Sequence, residues 1–310
     1  DVLTYYTQKQ LAINLGYQSS AHDQAVEEFM HDYYLHATNI YTFSQNLFEH
    51  CRQTKRSLKK VISSLIKKSV GHGLHISDSS LIYDGDAKED FKNYKSLLLK
   101  ALDLCKQHQV LPDYKLQRQM RLNKNLINAQ FMKGEEVRGF LFSILKDKSA
   151  AKILRLMHET GILEQILPEF GLAHCKVNHD FYHHYTADEH SLRVIRFLDE
   201  LAVTGITNPT DLQTLYLDYL KKEILKLSAL LQSVRTAPTD EPGEFLKCLL
   251  ERLSLEDGDV QVLLFLLANP YTMIETALHQ DIHQPGVIRK FAQTVVNPER
   301  LKGLYLLSYA

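Results

Sequence analysis

Between Val26 and Cys51 the apolar residues Val26, Phe29, Met30, Tyr33, Ala37, Ile40, Tyr41, Leu47, Phe48 and Cys51 recur at steps of three and four. That is the period of one helix face, so the segment is expected to form a long amphipathic helix packed in a bundle. Further helices are expected over about 89–108, 111–132, 137–145 and 150–160, with Gly161 as a C-cap and Pro168 opening the stretch beyond. The rhythm breaks once, in GLHISDSSLIYDGD from Gly73. There Leu74 and Ile76 alternate with polar residues, Asp78 to Ser80 supply turn chemistry and Leu81 to Tyr83 return, which predicts a small β-hairpin inserted between helices. No repeat of 20–50 residues is evident. A chain of 310 residues exceeds the usual single core, so two domains are expected, 1–161 and 162–310, in an all-α fold.

Charge and cysteine usage exclude several classes. A formal net charge of −1 gives no global steering toward nucleic acid. The run Arg52, Lys55, Arg56, Lys59, Lys60, Lys67 and Lys68 contains no acid, but it lacks interleaved aromatic residues for base stacking. It reads as a solvated helix end, where basic residues suit the dipole. Cys51, Cys105, Cys175 and Cys248 are isolated, with no CxxC spacing, and are expected to be reduced and mostly buried in a cytoplasmic protein. No apolar run approaches the ~20 residues that cross a bilayer, so no membrane span is expected.

From His174 the chain reads HCKVNHDFYHHYTADEHSLRV. Thr186 followed three residues later by Glu189 is a capping-box pattern, placing a helix start near Ala187. Leu192, Val194, Ile195, Leu198 and Leu201 give that helix its apolar stripe, and His190 falls in its first turn. One imidazole cannot hold a catalytic cation, which needs about three converging protein ligands and a water. The spacing of His174, His179, His183, His184 and His190 matches no closed zinc pattern, and hydrogen-bonded or vestigial histidines are expected. Tyr182 and Tyr185 are expected to pack under the helix start, and Asp188 and Glu189 to serve its dipole rather than act as general acids. Downstream, the apolar stretches 216–234 and 260–268 read as helices without ligands, and His279, Asp281 and His283 read as a loop before Pro285.

LPEFG from Leu167, FYHHYTADEHSLRV from Phe181, PGVIRKFAQTV from Pro285 and LKGLYLLSYA from Leu301 resemble, in order and spacing, the HD-type domain of bacterial PII uridylyltransferase/uridylyl-removing enzymes. TYYTQKQLAINLGY from Thr4 and AVEEFMHDYYLHATNI from Ala25 resemble the helical segment that follows their nucleotidyltransferase domain. The resemblance places the first metal-binding histidine at His190 and the His-Asp dyad at Gln232 and Ser233. It places a loop histidine within TAPTDEPGEF, which has none, and a later His-His pair at Asn269 and Pro270; the last ligand, an Asp, would follow Ala310. Neutral Gln232 and Ser233 would fill the former site without an unpaired buried charge.

The resemblance therefore implies a helical bundle domain followed by a degenerate HD-type helical domain, with no catalytic residue, metal or cofactor of its own. The chain starts at Asp1 and shows no Gly-Ser loop with paired aspartates, so an upstream nucleotidyltransferase domain is the expected partner, with a PII-like regulatory protein as a second. Two other readings stay open: a metal-dependent phosphohydrolase using His183, His184, His190 and Asp240, and a stand-alone nucleotide sensor.

Overall fold

A computed structural model describes residues 3–18, 22–55, 68–77, 79–85, 90–91, 96–127, 135–177, 185–203, 210–232 and 242–310. Of the residues singled out above, Arg56, Lys59, Lys60, Lys67, Asp78, His179, Tyr182, His183, His184, Ser233 and Asp240 lie outside this set. Helices α1 (Tyr5–Asn14) and α2 (His22–Lys55) precede strands β1 (Lys68–Gly71), β2 (Leu74–Ser77) and β3 (Ser80–Tyr83). Then come α3 (Ser96–His108), β4 (Leu111–Pro112), α4 (Tyr114–Asn123), α5 (Glu135–Leu145), α6 (Ala150–Thr160), α7 (Leu163–Ile166) and α8 (Pro168–Gly171). The chain continues through α9 (Ala187–Leu201), α10 (Asp211–Asp218), α11 (Lys222–Gln232), α12 (Pro242–Leu253) and α13 (Asp257–Ala268). It closes with α14 (Thr272–His279), α15 (Pro285–Val295) and α16 (Pro298–Tyr309). The fold is thus mostly helical with one small sheet, as the sequence implies. Contacts divide it into two units, Asp1–Ile127 with Leu156–His190, and Asn128–Arg155 with Ser191–Ala310.

In the first unit, α1 packs on the start of α2 through Ala12, Val26, Phe29 and Met30, with Tyr17 and Val177 against the cluster. Further along α2 the expected buried face is open: Ile40, Tyr41, Leu47 and Phe48 are all more than half exposed. Periodicity reports the helix, not what covers it.

The expected hairpin is the middle of a four-stranded sheet in the order β1-β2-β3-β4. The pairings β1–β2 and β2–β3 are antiparallel, the second with Leu74 opposite Tyr83 and Ile76 opposite Leu81, and β4 joins β3 in parallel. Strand β4 and the cap of α4 replace the helix expected from Leu111. Leu111 precedes Pro112, which biases it toward extended backbone, and a proline is tolerated on an edge strand. Asp113 then caps α4, accepting the Leu116 N–H at 2.9 Å. Helix α6 ends as expected at Gly161, whose φ of +70° suits glycine, with the Ile162 N–H returning to the Met157 carbonyl at 2.8 Å.

In the second unit, α11 is the centre. Its residues Ile224 to Leu231 are all buried, and it packs on α5, α13 and α16. The single helix expected over 216–234 is two helices, α10 and α11, because Tyr219 is extended (ψ 125°) and ends α10. Lys222 Nζ donates to the carbonyls of Leu217 (2.9 Å) and Tyr219 (2.6 Å), satisfying acceptors that the helix end leaves open. Tyr219 is fully buried against α16 at Gly303, where an added Cβ would stand 2.9 Å from its hydroxyl. No single described helix is long and apolar enough to cross a membrane; α13 and α14 reach the length together but are bent by 42°. All four cysteines are free, and only Cys105 and Cys175 are buried, so the expectation of mostly buried thiols holds for half of them.

Candidate functional site

The densest cluster of chemistry-bearing side chains among the described residues lies in the first unit, where the chain doubles back at Gly161 and Leu167. His158 comes from the last turn of α6, Glu164 from α7, His174 and Cys175 from the turn after α8, and Asp188 from the first turn of α9. Pro168 starts α8, and Cys175 adopts a left-handed φ of +52°, so the turn presents His174 and the Cys175 N–H to the same carboxylate.

Asp188 is the hub and is only 4% exposed. Its Oδ2 accepts from the Cys175 N–H at 2.9 Å and lies 3.1 Å from His174 Nδ1 and 3.3 Å from His158 Nε2, while its Oδ1 accepts from the Glu189 N–H at 2.9 Å. The second nitrogen of His158, Nδ1, bonds Glu164 Oε1. Glu164 Oε2 is buried without a hydrogen-bond partner among the described residues. Phe170 sets its edge against the His158 ring with centroids 5.4 Å apart, and the two imidazoles meet edge to face at 5.1 Å. Cys175 Sγ lies 3.8 Å from both His174 Nε2 and Thr38 Oγ1.

The electrostatics follow from this wiring. Burial favours a neutral His158, but its bonds to Asp188 and Glu164 outweigh that and raise it from 6.5 to about 9. Bonds to Asp188 and then Cys175 raise the half-exposed His174 from 6.5 to about 10. Burial alone would favour a protonated Asp188, yet four hydrogen-bond partners, with His158 and His174 first, hold it far below the usual carboxylate range. The result is a network in which two histidine rings and the acidic side chains of Asp188 and Glu164 share hydrogen bonds, His158 at the centre and His174 at its partly exposed edge.

The residues singled out by sequence are distributed differently. His190 is half-buried in the first turn of α9, its N–H bonded to the Thr186 carbonyl at 2.8 Å. Gln232 is the last residue of α11 and half-buried. Asn269 is the C-cap of α13, its Nδ2 donating to the Phe265 carbonyl at 2.9 Å and its Oδ1 accepting from Thr272 Oγ1 at 3.2 Å; Pro270 follows it. Asp281 lies in the expected loop, accepting the His283 N–H at 3.0 Å. Tyr185 is 45% exposed rather than packed under the helix start. Asp188 does more than serve the dipole of α9. His158 and Glu164 were missed by sequence reasoning; the signal that could have found them is their placement either side of the Gly161 C-cap, which folds one back on the other.

Comparison with known proteins finds similar sequences over nearly the whole chain. Residues 84–166 match the family described as "Uridylyltransferase GlnD third domain", and residues 1–48 match "GlnD PII-uridylyltransferase". Bifunctional uridylyltransferase/uridylyl-removing enzymes from Bradyrhizobium sp. (strain ORS 278) and Pseudomonas fluorescens are 28% and 27% identical to it, over 99% and 98% of this chain. Over nearly its whole length the chain is similar to the PII uridylyltransferase/uridylyl-removing enzymes. It spans about a third of the length of those relatives, 35% and 34% respectively. The His158–Asp188 cluster begins inside the third-domain match and continues beyond it.

Proposed function

We propose that this segment is a non-catalytic helical and pseudo-HD portion of a PII uridylyltransferase-like protein, with a scaffold or regulatory role. Residues 162–310 are the degenerate HD-like part in this reading. The observation that carries it is the chemistry at the positions matched to the family's metal ligands. His190 is the one imidazole among them; Gln232 and Ser233 stand for the His-Asp dyad, and Asn269 and Pro270 for the His-His pair. Such a donor set does not fit a hydrolytic metal centre, which needs about three converging N, O or S ligands and a water of lowered pKa. Asn269 supports the reading further, since both ends of its amide are used to end α13 and begin α14.

The partners in this reading are an upstream nucleotidyltransferase domain, which the chain would support, and a PII-like regulatory protein. The test is a uridylyl-removal assay on the longer protein with manganese or zinc supplied. Activity abolished by His190→Ala would overturn the proposal in favour of a working phosphohydrolase. Unchanged transferase activity in His190→Ala, with no removal activity in either protein, is the expected result.

A further inference from the structure

The family's metal positions are not the only place on this chain where ligands could converge. One ring nitrogen from each of His158 and His174 and a carboxylate oxygen of Glu164 lie within 4.8 Å of one another. Ligands of a tetrahedral ion with bonds of ~2.0–2.1 Å stand about 3.3 Å apart, so small side-chain shifts would bring these three onto one cation.

The surroundings resemble what a metal site requires. A ligating histidine nearly always donates its second ring N–H to a carboxylate or carbonyl, which fixes its tautomer and orientation. Here one carboxylate serves both rings, with Asp188 Oδ2 facing His158 Nε2 and His174 Nδ1. That leaves His158 Nδ1, which already meets Glu164, and His174 Nε2, whose present neighbour is Cys175 Sγ at 3.8 Å, as the nitrogens to ligate. Asp188 is itself pinned by the Cys175 and Glu189 N–H groups. Glu164 Oε2, buried with no donor among the described residues, is an acceptor whose desolvation nothing offsets; a cation would supply the partner.

We propose that His158, Glu164 and His174 bind one divalent transition-metal ion of the zinc class, with Asp188 orienting both imidazoles from behind. Two nitrogens and a carboxylate suit zinc or cobalt(II) over magnesium or calcium, which take oxygen ligands. Binding displaces the protons on the ligating nitrogens to solvent, and the three ligands leave a fourth position for water. The site would clamp the end of α6 and α7 to the turn after α8, independently of the HD-matched positions.

The test uses the 310-residue chain stripped with chelator and titrated with cobalt(II), read by its visible d–d absorption and by competition with zinc. Saturation at one equivalent, with the Co(II) affinity falling more than tenfold in Glu164→Gln and about 10–100-fold in Asp188→Asn, is expected. Zinc should raise the melting temperature of the parent chain and leave that of Glu164→Gln unchanged. Absence of saturable binding, or equal affinity in Glu164→Gln, overturns the proposal. Should the variants fail to fold, zinc-edge X-ray absorption on the unaltered chain decides. Two imidazoles with only nitrogen and oxygen neighbours at ~2.0–2.1 Å support the site, and a sulfur at ~2.3 Å, which would bring in a cysteine, overturns this ligand set.

Discussion

Each unit buries charge, and each does so differently. In the second unit Lys226, 1% exposed in the middle of α11, donates to Asp199 Oδ1 at 2.6 Å and to the Asp147 carbonyl at 2.7 Å, while Asp199 Oδ2 accepts the Ala151 N–H at 2.7 Å. Burial nonetheless raises Asp199 from its ordinary value, Lys226 offsetting only part of the effect. This is one cation on one anion, joining α11, α9 and the start of α6. In the first unit, two histidines and two carboxylates share their bonds around Asp188, and one oxygen of Glu164 is left over. A single buried lysine–aspartate pair serves as a tie. A histidine–carboxylate cluster, built from side-chain types that can ligate metals and include titratable imidazoles, can also change state.

The largest effect should come from the tie. Lys226→Met leaves Asp199 buried without its cation and should cost ~3–5 kcal/mol in urea unfolding, the usual penalty for halving a buried pair. A loss below ~1 kcal/mol would show that the pair is better solvated than its geometry implies. Asp188→Asn removes the hub of the network and should cost ~1.5–3 kcal/mol, the range for hydrogen bonds to a charged group. Should it match Lys226→Met, the contrast between a single tie and a shared network fails.

Next in size is a pH dependence, measured with chelator present. Raised histidines stabilise the folded state fully below their unfolded value of 6.5, and that contribution drains away as pH climbs through about 9 and 10. The lowered Asp188 contributes above its unfolded value of 3.8 and loses its share only in stronger acid. Stability should therefore fall from pH 6.5 to 10 by more in the parent chain than in His158→Gln, and equal slopes would refute the assignment. The smallest expected change is His174→Gln. Its ring is more than a third exposed and screened by solvent, so ~1 kcal/mol or less is expected by thermal melting.

Local signals were legible in the sequence where they were complete within a few residues. Helix α6 runs over 150–160 as its periodicity implies, α9 starts at Ala187, and Gly161 ends α6. Pairings between distant residues were not. Strand β4 is only two residues long and depends on β3, so nothing near Leu111 announces it beyond the Pro112 that biases Leu111 toward extended backbone. The break at Tyr219 is similar, because an apolar helical period continues through it while burial against Gly303 sets its position. Of the cluster, His174 drew attention through a histidine-rich stretch. His158 and Glu164 sit in ordinary helical patterns, and only the fold shows that His158 bridges Asp188 and Glu164.

The parallel pairing of β3 with β4 has a consequence for the order of assembly. Ser80 must find Leu111 across a stretch of chain that contains all of α3, whereas β2 and β3 are only two residues apart in the chain. Loop closure favours the short excursion, so the antiparallel strands can zip before the far edge docks. The amide of Asp113, held by the Leu81 carbonyl, should then acquire protection late in refolding, after those of β2 and β3.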